Sequence, residues 1–297
     1  MTLCNDLNDL QAVVDRKPDL VVLTNKIMLD NSQKIWLSEY FAAHNINYTG
    51  SSKKVLQYDV DKTSSKRQII ASGINTARFF MATPDQFKTS EELPVDFPLF
   101  VKPLDSANSE GIDENSFVTD FAGFQAKVKQ LYDIYQQPIL VEQFLAGREF
   151  TVAIIAAQTM LIAPIEIVAP LENNIRILSA KTKTDNTEII QKITDPEIYK
   201  QVSAIAKASF EALGVTDYGR IDIKMDAQNK CYFLEANLTP GMTRDSSYFP
   251  KSYDLYSMFG YDDLILLLIE SALNRIKFDQ TPTDYPTETI PNNTLAA

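Results

Sequence analysis

The composition of the chain argues against several classes of function. The 297 residues are 45% hydrophobic and 23% charged, with a net charge of −11, a balance typical of a globular chain with a sizeable core. Because no basic stripe is available to meet phosphates or a membrane surface, we expect no nucleic-acid partner and no membrane partner. The single histidine, His44, argues against chemistry that depends on a histidine base or on histidine metal ligands.

We expect a cytoplasmic protein, because the sequence shows no targeting signal and no disulfide spacing of its cysteines. The first residues lack the basic and continuous apolar segments of a signal peptide. The longest apolar run, "DDLILLLIESAL", is far shorter than the roughly 20 residues of a membrane helix. Cys4 and Cys231 have neither zinc-site nor disulfide spacing.

The first part of the chain is predicted to form a small α/β lobe. Amphipathic patterns predict helices at residues 7–16 and 32–44, on either side of a buried strand, "DLVVLTN" (19–25). A third helix is predicted at 61–75, where Gly73 supplies the stop.

The remaining elements alternate between strands and helices, and a polar tail follows them. They are a strand at 97–103, a loop of small polar residues at 106–111, a helix at 121–135, a strand at 138–145, two strands within 149–168, a helix at 196–213, a hairpin at 219–237 and an apolar helix at 261–276. The Pro- and Thr-rich tail lacks apolar periodicity and is predicted to be disordered.

The hairpin "GRIDIKMDAQNKCYFLEAN" has two apolar faces that must coincide. Side chains alternate between the two faces of a strand. The predicted core face consists of Ile221, Ile223, Met225, Tyr232, Leu234 and Ala236. Phe233 then shares the opposite face with the polar side chains. A slip of one residue would expose every apolar side chain, so the register is strongly specified.

This register brings two carboxylates together. With a four-residue loop, Asp222 is expected opposite Glu235, and Arg220 opposite Asn237. Opposed β-carbons lie roughly 4.5–5.5 Å apart, so the carboxylates repel unless a cation lies between them. The oxygen ligands of Asp222, Glu235 and Asn237 suit a hard ion such as Mg²⁺. Spacing alone leaves open a solvated hairpin face with an ordinary arginine–carboxylate pair.

Two further segments are typical of nucleotide binding. Lys102 ends the strand "LFVKP" just before the loop "DSANSEG", whose small residues would let backbone N–H groups approach phosphate oxygens. A solvated turn explains this loop equally well. In "ILVEQFLAGREF" a strand runs out into a linker between Glu142 and Glu149, and its free backbone groups could pair with the edge of a purine.

In order and spacing these segments resemble the ATP-grasp enzymes, and most closely the D-alanine–D-alanine ligase family. The resemblance covers roughly residues 45–276 and rests on "YTGSS…DKTSSKRQIIASGI", "FPLFVKP…SEGI", "ILVEQFLAGREFTVAII", "GRIDIKM" and "FLEANLTPGMT…FPK". It implies an α/β chain of α+β lobes with an ATP-grasp fold and with ATP held between the two later lobes. The implied divisions are a shortened N-terminal lobe (1–80), a central subdomain (81–146), a C-terminal subdomain with the metal site (147–278) and a disordered tail (279–297).

The resemblance also implies roles for individual residues. The implied nucleotide contacts are Lys62, Lys102 and Lys181 at the phosphates, Glu142, Gln143, Phe144 and Leu145 in a hinge over adenine, and Glu149 at the ribose. Asp222, Glu235 and Asn237 would hold two Mg²⁺ ions, with Glu235 bridging them and with Mn²⁺ as an alternative metal. The implied catalytic residues are Arg220, Lys181 and Ser109, of which Arg220 would stabilise a developing oxyanion.

The reaction that the resemblance implies joins a small carboxylate to a small, amino-acid-like amine. The carboxylate attacks the γ-phosphate of ATP to give an acyl phosphate, and the amine then displaces phosphate. The family often forms homodimers through its first lobe, so the resemblance leaves a homodimer open.

Departures from the family pattern concern the amino-acid substrates. The segment before "YTGS" shows no equivalent of the acidic residue that holds the first amino acid, and "TNKIMLDNSQ" replaces a His-Gly loop. Thr182 stands where the family has a tyrosine, and Ser246-Ser247 where it has Ser-Leu. We therefore expect altered substrate recognition, with a first substrate that lacks an α-ammonium group or is larger than alanine.

Three alternatives remain at this stage. The chain could be a true D-alanine–D-alanine ligase of cell-wall synthesis, or a nucleotide-binding protein without ligase turnover. Alternatively, Asp30, Glu110 or Asp113 could replace the missing acid.

Overall fold

The computed structural model describes residues 3–105, 109–172 and 175–279. The helices in these ranges are α1 (Leu7–Asp15), α2 (Leu37–Ala43), α3 (Lys53–Val60), α4 (Lys62–Ala71), α5 (Phe121–Tyr135), α6 (Ala180–Asp185), α7 (Pro196–Ala212), α8 (Tyr248–Leu255) and α9 (Tyr261–Asp279). Within the described ranges, no helix is long and apolar enough to cross a membrane.

The described strands form two large antiparallel sheets and two short pairs. The strands are β1 (Ile27–Asp30), β2 (Gln33–Trp36), β3 (Phe79–Ala82), β4 (Leu99–Lys102), β5 (Phe117–Val118), β6 (Ile139–Gln143), β7 (Glu149–Ala156), β8 (Met160–Val168), β9 (Leu171–Glu172), β10 (Ile175–Arg176), β11 (Ile189–Lys192), β12 (Tyr218–Met225) and β13 (Cys231–Asn237). The larger sheet has the order β11-β8-β7-β12-β13, and the smaller has the order β3-β6-β4-β5.

The five-stranded sheet is covered on both faces, which explains why β7 is a nearly continuous apolar run. Because side chains alternate along a strand, Val152 and Ile154 belong to the core under α7. Ala153 and Ile155 point the other way, into the core under α8 and α9. The strand therefore needs apolar residues at successive positions.

Helix α5 covers one face of the four-stranded sheet. Phe124, Val128 and Leu131 are buried on α5 at helical spacing and pack on this sheet. The side chain of Asp120 caps the helix by accepting a hydrogen bond from the backbone of Gly123. The opposite face of the sheet remains available to line a site.

The predicted strand at 19–25 is wrong, and the predicted helix at 32–44 is confirmed only from Leu37 to Ala43. Residues 19–25 contribute a single parallel bridge between Val21 and Tyr48. Residues 33–36 form β2, which pairs with β1, and the helix begins only at Leu37. Asn31 and Ser32 have φ values of 45° and 68°, the conformation of a two-residue hairpin turn, and this turn competes successfully with the helical pattern.

Several other predicted elements are confirmed. The helix at 121–135 is α5, the helix at 196–213 is α7, and the helix at 261–276 is α9, which extends to Asp279. Of the predicted disordered tail (279–297), Asp279 is the last residue of α9, and residues 280–297 lie outside the described residues, as do residues 106–108 of the small-residue loop.

Helices α3 and α4 pack on the larger sheet although they precede the smaller one in the chain. Leu56 of α3 and Ile69 of α4 lie in the same core as α7 and β13. Asp61 caps α4, because its side chain accepts hydrogen bonds from the backbones of Thr63 and Ser64. This packing brings Lys62, the first residue of α4, toward the end of β13. The division of the chain at residue 80 stays a prediction.

Candidate active site

A cleft lies between the two large sheets and encloses about 810 Å³ of space, including its open mouth. One wall carries Phe100, Lys102 and Glu142 from the smaller sheet. The facing wall carries Asp222 and Glu235 from the larger sheet. The cleft therefore combines apolar surface with a dense group of charges.

The paired carboxylates lie where the sequence predicts them. Asp222 is the direct strand partner of Glu235, and Arg220 is the partner of Asn237. All four residues belong to the hairpin of β12 and β13, which sits at one edge of the larger sheet. The alternation of apolar and polar residues is sufficient to determine this part of the register.

The half of the hairpin nearer its loop differs from the prediction. The register slips by one residue just beyond the carboxylates, so that Ile223 pairs with Phe233. The predicted core face is therefore wrong here: Phe233 is fully buried in the core, whereas Leu234 lines the cleft and Tyr232 lies outside the core. A β-bulge adds one residue to one strand. It lets the Phe233 ring remain in the core while Glu235, two residues later, faces the cleft.

Asp222 is held by three hydrogen-bonding side chains. The guanidinium of Arg220 binds both of its oxygens, with 3.0 Å from Nε to Oδ1 and 3.0 Å from Nη2 to Oδ2. Asn237 Nδ2 donates to Oδ2 at 2.9 Å, and the hydroxyl of Thr151 donates to Oδ1. Because the amide nitrogen of Asn237 is used in this way, its Oδ1 is the atom that could act as a metal ligand.

Glu235 is the carboxylate on which the cations of the cleft converge. Burial opposes its ionisation, but Lys62, Lys102, Lys183 and Arg220 outweigh burial and lower its pKa to about 2. These cations come from α4, β4, α6 and β12 respectively. The carboxylate is therefore ionised at neutral pH, within a field that favours additional negative charge nearby.

The predicted hinge residue Glu142 lies between two lysines. Its carboxylate is 2.8 Å from Lys66 Nζ and 2.9 Å from Lys102 Nζ. Burial raises the pKa of Glu142, and the two lysines more than offset this effect, so the net shift is downward. Lys66 also donates to Thr76 Oγ1 at 2.8 Å, and Thr76 donates to the carbonyl of Phe233 at 2.8 Å. This chain of contacts links β6, α4 and the bulged strand β13.

The other predicted hinge residues line the apolar end of the cleft. Gln143, Phe144 and Leu145 all contribute to this wall. The backbone N–H of Gln143 donates to the carbonyl of Arg78 at 2.8 Å, and that of Phe144 donates to the carbonyl of Pro98 at 3.1 Å. These bonds anchor the start of the linker to the smaller sheet.

Glu149 lies on the opposite wall at the start of β7. Its Oε2 is 2.7 Å from Lys224 Nζ, and both side chains line the cleft. The chain reaches this point through Gly147, whose backbone packs so tightly on β12 that an added Cβ would lie 2.7 Å from the carbonyl oxygen of Met225. A side chain at Gly147 would therefore displace the linker.

The three remaining predicted residues occupy different positions. Lys62 is buried, and its Nζ donates to the carbonyl of Leu104 at 3.3 Å. Ser109 lines the cleft with a φ of 61°. Lys181 is exposed and lines a separate pocket together with Asp113 and Asp185.

Lys183 is a cleft residue that the sequence did not identify. It lines the cleft near the carboxylates, two residues after Lys181. Residues two apart on a helix point to different sides. The run "SAKTKTDNTE" contains both lysines, and only the orientation of α6 distinguishes them.

A further pocket, distinct from the one that Lys181 lines, lies beside Arg220. Its lining includes Lys183, Glu188, Ser246 and Tyr248. The Tyr248 ring lies 5.6 Å from the guanidinium carbon of Arg220, and its hydroxyl donates to Glu188 Oε1 at 2.6 Å. Sequence reasoning missed Glu188 and Tyr248, because no spacing rule connects the segment before β11 with α8.

Comparisons with known proteins agree with this architecture. A family model described as the D-ala D-ala ligase C-terminus matches residues 68–270. The D-alanine–D-alanine ligase of Bordetella petrii is 30% identical over 232 residues, which cover 77% of this chain and 69% of the relative. That of Hydrogenovibrio crunogenus is 29% identical over 239 residues, covering 76% and 69% of the two chains.

Solved structures show the same fold. The D-alanine–D-alanine ligase from Bacillus anthracis complexed with ATP has a TM-score of 0.73 at 24% identity, over 93% of this chain and 86% of that chain. The D-alanine–D-alanine ligase from Coxiella burnetii has a TM-score of 0.66 at 21% identity, over 88% and 70% of the two chains.

The fold is thus the ATP-grasp fold, and the expected fold class is confirmed. The chain belongs to the D-alanine–D-alanine ligase family. It is accordingly an ADP-forming carboxylate–amine ligase of the ATP-grasp class.

Proposed function

We propose that this protein joins a small carboxylate to a small amine in an ATP- and Mg²⁺-dependent reaction that passes through an acyl phosphate. The observation that carries the proposal is the pairing of Asp222 with Glu235 on neighbouring strands, with the positive charges of the cleft directed at Glu235. Such a site can bind a polyphosphate and the metal ions that accompany it.

In this proposal the nucleotide occupies the cleft between the sheets. The purine lies against the linker at Gln143, Phe144 and Leu145, where apolar side chains and backbone groups offer both stacking and hydrogen bonds. The ribose hydroxyls bind Glu149 in place of its contact with Lys224. The family pattern adds Lys62, Lys102 and Lys181 at the phosphates, but of the two lysines of α6 the lining of the cleft favours Lys183 over Lys181.

The donor set fits Mg²⁺. Two carboxylates and one amide oxygen, from Asp222, Glu235 and Asn237, are hard oxygen ligands of the kind that Mg²⁺ takes together with phosphate oxygens. We propose two ions with Glu235 between them, and Mn²⁺ as an alternative metal. When bound, the ions neutralise charge on the transferring phosphoryl group.

The residues of the chain act mainly by positioning and by charge. A substrate carboxylate oxygen attacks the γ-phosphorus, and the bond to the leaving ADP oxygen breaks. The amine nitrogen then attacks the acyl carbon, the carbon–phosphate oxygen bond breaks, and the amine loses a proton. Arg220 stabilises the oxyanion of the tetrahedral intermediate. Ser109 is proposed as a further contact of the transferring phosphoryl group.

Substrate recognition is proposed to differ from that of a strict D-alanine–D-alanine ligase. The support is that Thr182 and the pair Ser246-Ser247 replace the residues of the family pattern. The second candidate is D-alanine–D-alanine ligation itself, which the names of the curated relatives favour. A third candidate is nucleotide binding without turnover, in which ATP occupies the cleft and no bond is formed or broken.

One experiment separates these candidates. Phosphate release from ATP is measured across a panel of D- and L-amino acids and other small carboxylates, and hydroxylamine is added to trap the acyl phosphate as a hydroxamate. We expect hydroxamate formation, with a kcat/KM for D-alanine at least tenfold below that of the best substrate. A value for D-alanine within tenfold of the best would establish the second candidate. ATP binding without phosphate release or hydroxamate would establish the third.

A further inference from the structure

The carboxylate of Glu188 has one satisfied oxygen and one buried oxygen without a partner. Its Oε1 accepts the hydroxyl hydrogen of Tyr248 at 2.6 Å. Its Oε2 is buried and has no hydrogen-bond partner among the described residues. A buried carboxylate oxygen normally binds a donor, because its lost hydration is otherwise uncompensated. A ligand with a hydrogen-bond donor would therefore satisfy Oε2 of Glu188.

The surroundings of Glu188 indicate which donor this is. Glu188 lines the pocket that contains Lys183 and Arg220, and the hydroxyl-bearing residues Ser246 and Ser247 line it as well. A pocket with two cations and one carboxylate is complementary to a molecule with both a negative and a positive group. An amino acid or another primary amine with a carboxylate has this charge pattern.

Tyr248 holds Glu188 in the orientation that such a ligand needs. Its ring packs against the guanidinium of Arg220, so the tyrosine connects the oxyanion-stabilising arginine with the carboxylate. Burial, and then the hydrogen bond to Glu188, raise the pKa of the Tyr248 hydroxyl. The hydroxyl thus keeps its proton and continues to donate to Oε1.

We propose that Glu188 binds the ammonium group of the amine substrate and determines the preference for a charged amine, which gives up one proton to solvent water before its nitrogen attacks the acyl carbon. This inference rests on the proposed ligase function and names the residue that recognises one of its two substrates. Of the acids considered from the sequence, Asp113 is 2.7 Å from Lys127 Nζ, and Asp30 accepts from the side chain of Asn31 at 3.0 Å. Neither of these acids, nor Glu110, lines the pocket beside Arg220. Glu188 is the carboxylate that does.

The test compares two nucleophiles in the variant Glu188→Gln. Glutamine keeps the shape of the side chain and an acceptor for Tyr248, but it removes the negative charge. The best amino acid from the panel is a charged ammonium in solution, whereas hydroxylamine is uncharged at neutral pH. We expect the KM for the amino acid to rise at least tenfold, while the rate of hydroxamate formation and the KM for ATP stay within twofold of the wild-type values.

Two further variants serve as controls. Glu197→Gln makes the same charge change at an exposed position of α7 and should leave all three quantities unchanged. Tyr248→Phe keeps the aromatic ring and the charge of Glu188 but removes the hydrogen bond. It should raise the KM for the amino acid by a smaller factor, and it supplies the test if Glu188→Gln does not fold.

The outcomes are distinguishable. An unchanged KM for the amino acid in a folded Glu188→Gln would overturn the inference and leave the ligase function standing. An equal loss with the amino acid, with hydroxylamine and with ATP would show a structural role and would also overturn it. If the wild-type protein forms no hydroxamate with any carboxylate, the proposed function fails and the inference fails with it.

Discussion

Lys66 and Glu142 form an ion pair of 2.8 Å in which the side chains are 0% and 3% exposed. The pair joins α4, which packs on the larger sheet, to β6 of the smaller sheet. Lys102 contacts the other oxygen of Glu142 at 2.9 Å. The two halves of the cleft therefore meet at a buried charge cluster, and removal of one member leaves the others undercompensated.

We predict that Lys66→Met lowers the free energy of unfolding by about 3 kcal/mol, since breaking a buried ion pair from one side leaves a buried charge behind. Urea denaturation followed by circular dichroism measures the change. The matched control is Lys129→Met, which removes an exposed pair with Asp133 and should cost about 0.5 kcal/mol or less. A loss below about 1 kcal/mol for Lys66→Met would show that Lys102 alone compensates Glu142.

The low pKa of Glu235 predicts a specific dependence of stability on pH. The cleft lowers this pKa from 4.5 to about 2, so the ionised group contributes stability above pH 4.5 that is lost as the pH falls toward 2. Wild-type stability should therefore fall more steeply than that of Glu235→Gln in this window. Denaturation midpoints of both proteins at several pH values measure the difference, and parallel curves would contradict the predicted shift.

The placement of α6 predicts that Lys183 is more important for ATP binding than Lys181. Lys183→Met should weaken ATP binding by roughly ten- to a hundredfold, because a charge-assisted hydrogen bond contributes about 1.5–3 kcal/mol. Lys181→Met, at a neighbouring exposed position, should change the Kd less than threefold. Calorimetric titration with a non-hydrolysable ATP analogue measures both constants. The opposite ranking would support the role that the family pattern gives to Lys181.

Glu149 is predicted to bind the ribose. Glu149→Ala should weaken ATP binding by roughly ten- to a hundredfold, the effect of about 1.5–3 kcal/mol. Gln143→Ala should have little effect, because the linker is proposed to hold the base with backbone groups. Equal ATP affinity in the wild type and Glu149→Ala, measured by titration, would rule out this placement of the ribose.

Any side chain added at Gly147, near the end of the linker, is predicted to destabilise the protein. An added Cβ would clash with the carbonyl oxygen of Asp226 and would lie 2.7 Å from that of Met225, and these backbone atoms cannot rotate away. Gly147→Ala should therefore cost about 1–3 kcal/mol of stability, as overpacking usually does. Gly123→Ala is the control: its nearest contact is 3.4 Å, with the side chain of Asp120, and alanine favours a helix by up to about 1 kcal/mol. Thermal melts of the two variants should shift in opposite directions.

The sequence predicts secondary structure and register best where apolar residues recur at a constant spacing. The α5 helix and the pairing of Asp222 with Glu235 follow from apolar periodicity, because a shift of one residue would expose a core. The hairpin of β1 and β2 was missed because a turn with positive φ at Asn31 overrode a helical pattern. The possible homodimer remains a prediction.

The candidate site was predictable where it rests on one element and less so where it rests on several. The metal-ligand set belongs to a single hairpin, so its geometry follows from local rules. Lys183 belongs to α6, Glu188 to the segment before β11 and Tyr248 to α8, and the relative placement of these parts depends on tertiary packing. No local rule distinguishes Lys183 from Lys181, or connects Glu188 with Tyr248.

The bulge in β13 lets one hairpin satisfy two independent demands. Near the loop, the strand must present its large side chains to the core, and beyond the bulge it must present Glu235 to the cleft. Deletion of Leu234 would leave a continuous ladder and a well-formed hairpin. With the carboxylate pairing kept, Phe233 would stand next to Glu235 in that ladder and would stay opposite Ile223 in the core, but Leu234 would be lost from the lining of the cleft. The bulge therefore adds an apolar side chain, Leu234, to the lining of the cleft while Phe233 and Glu235 keep their separate faces.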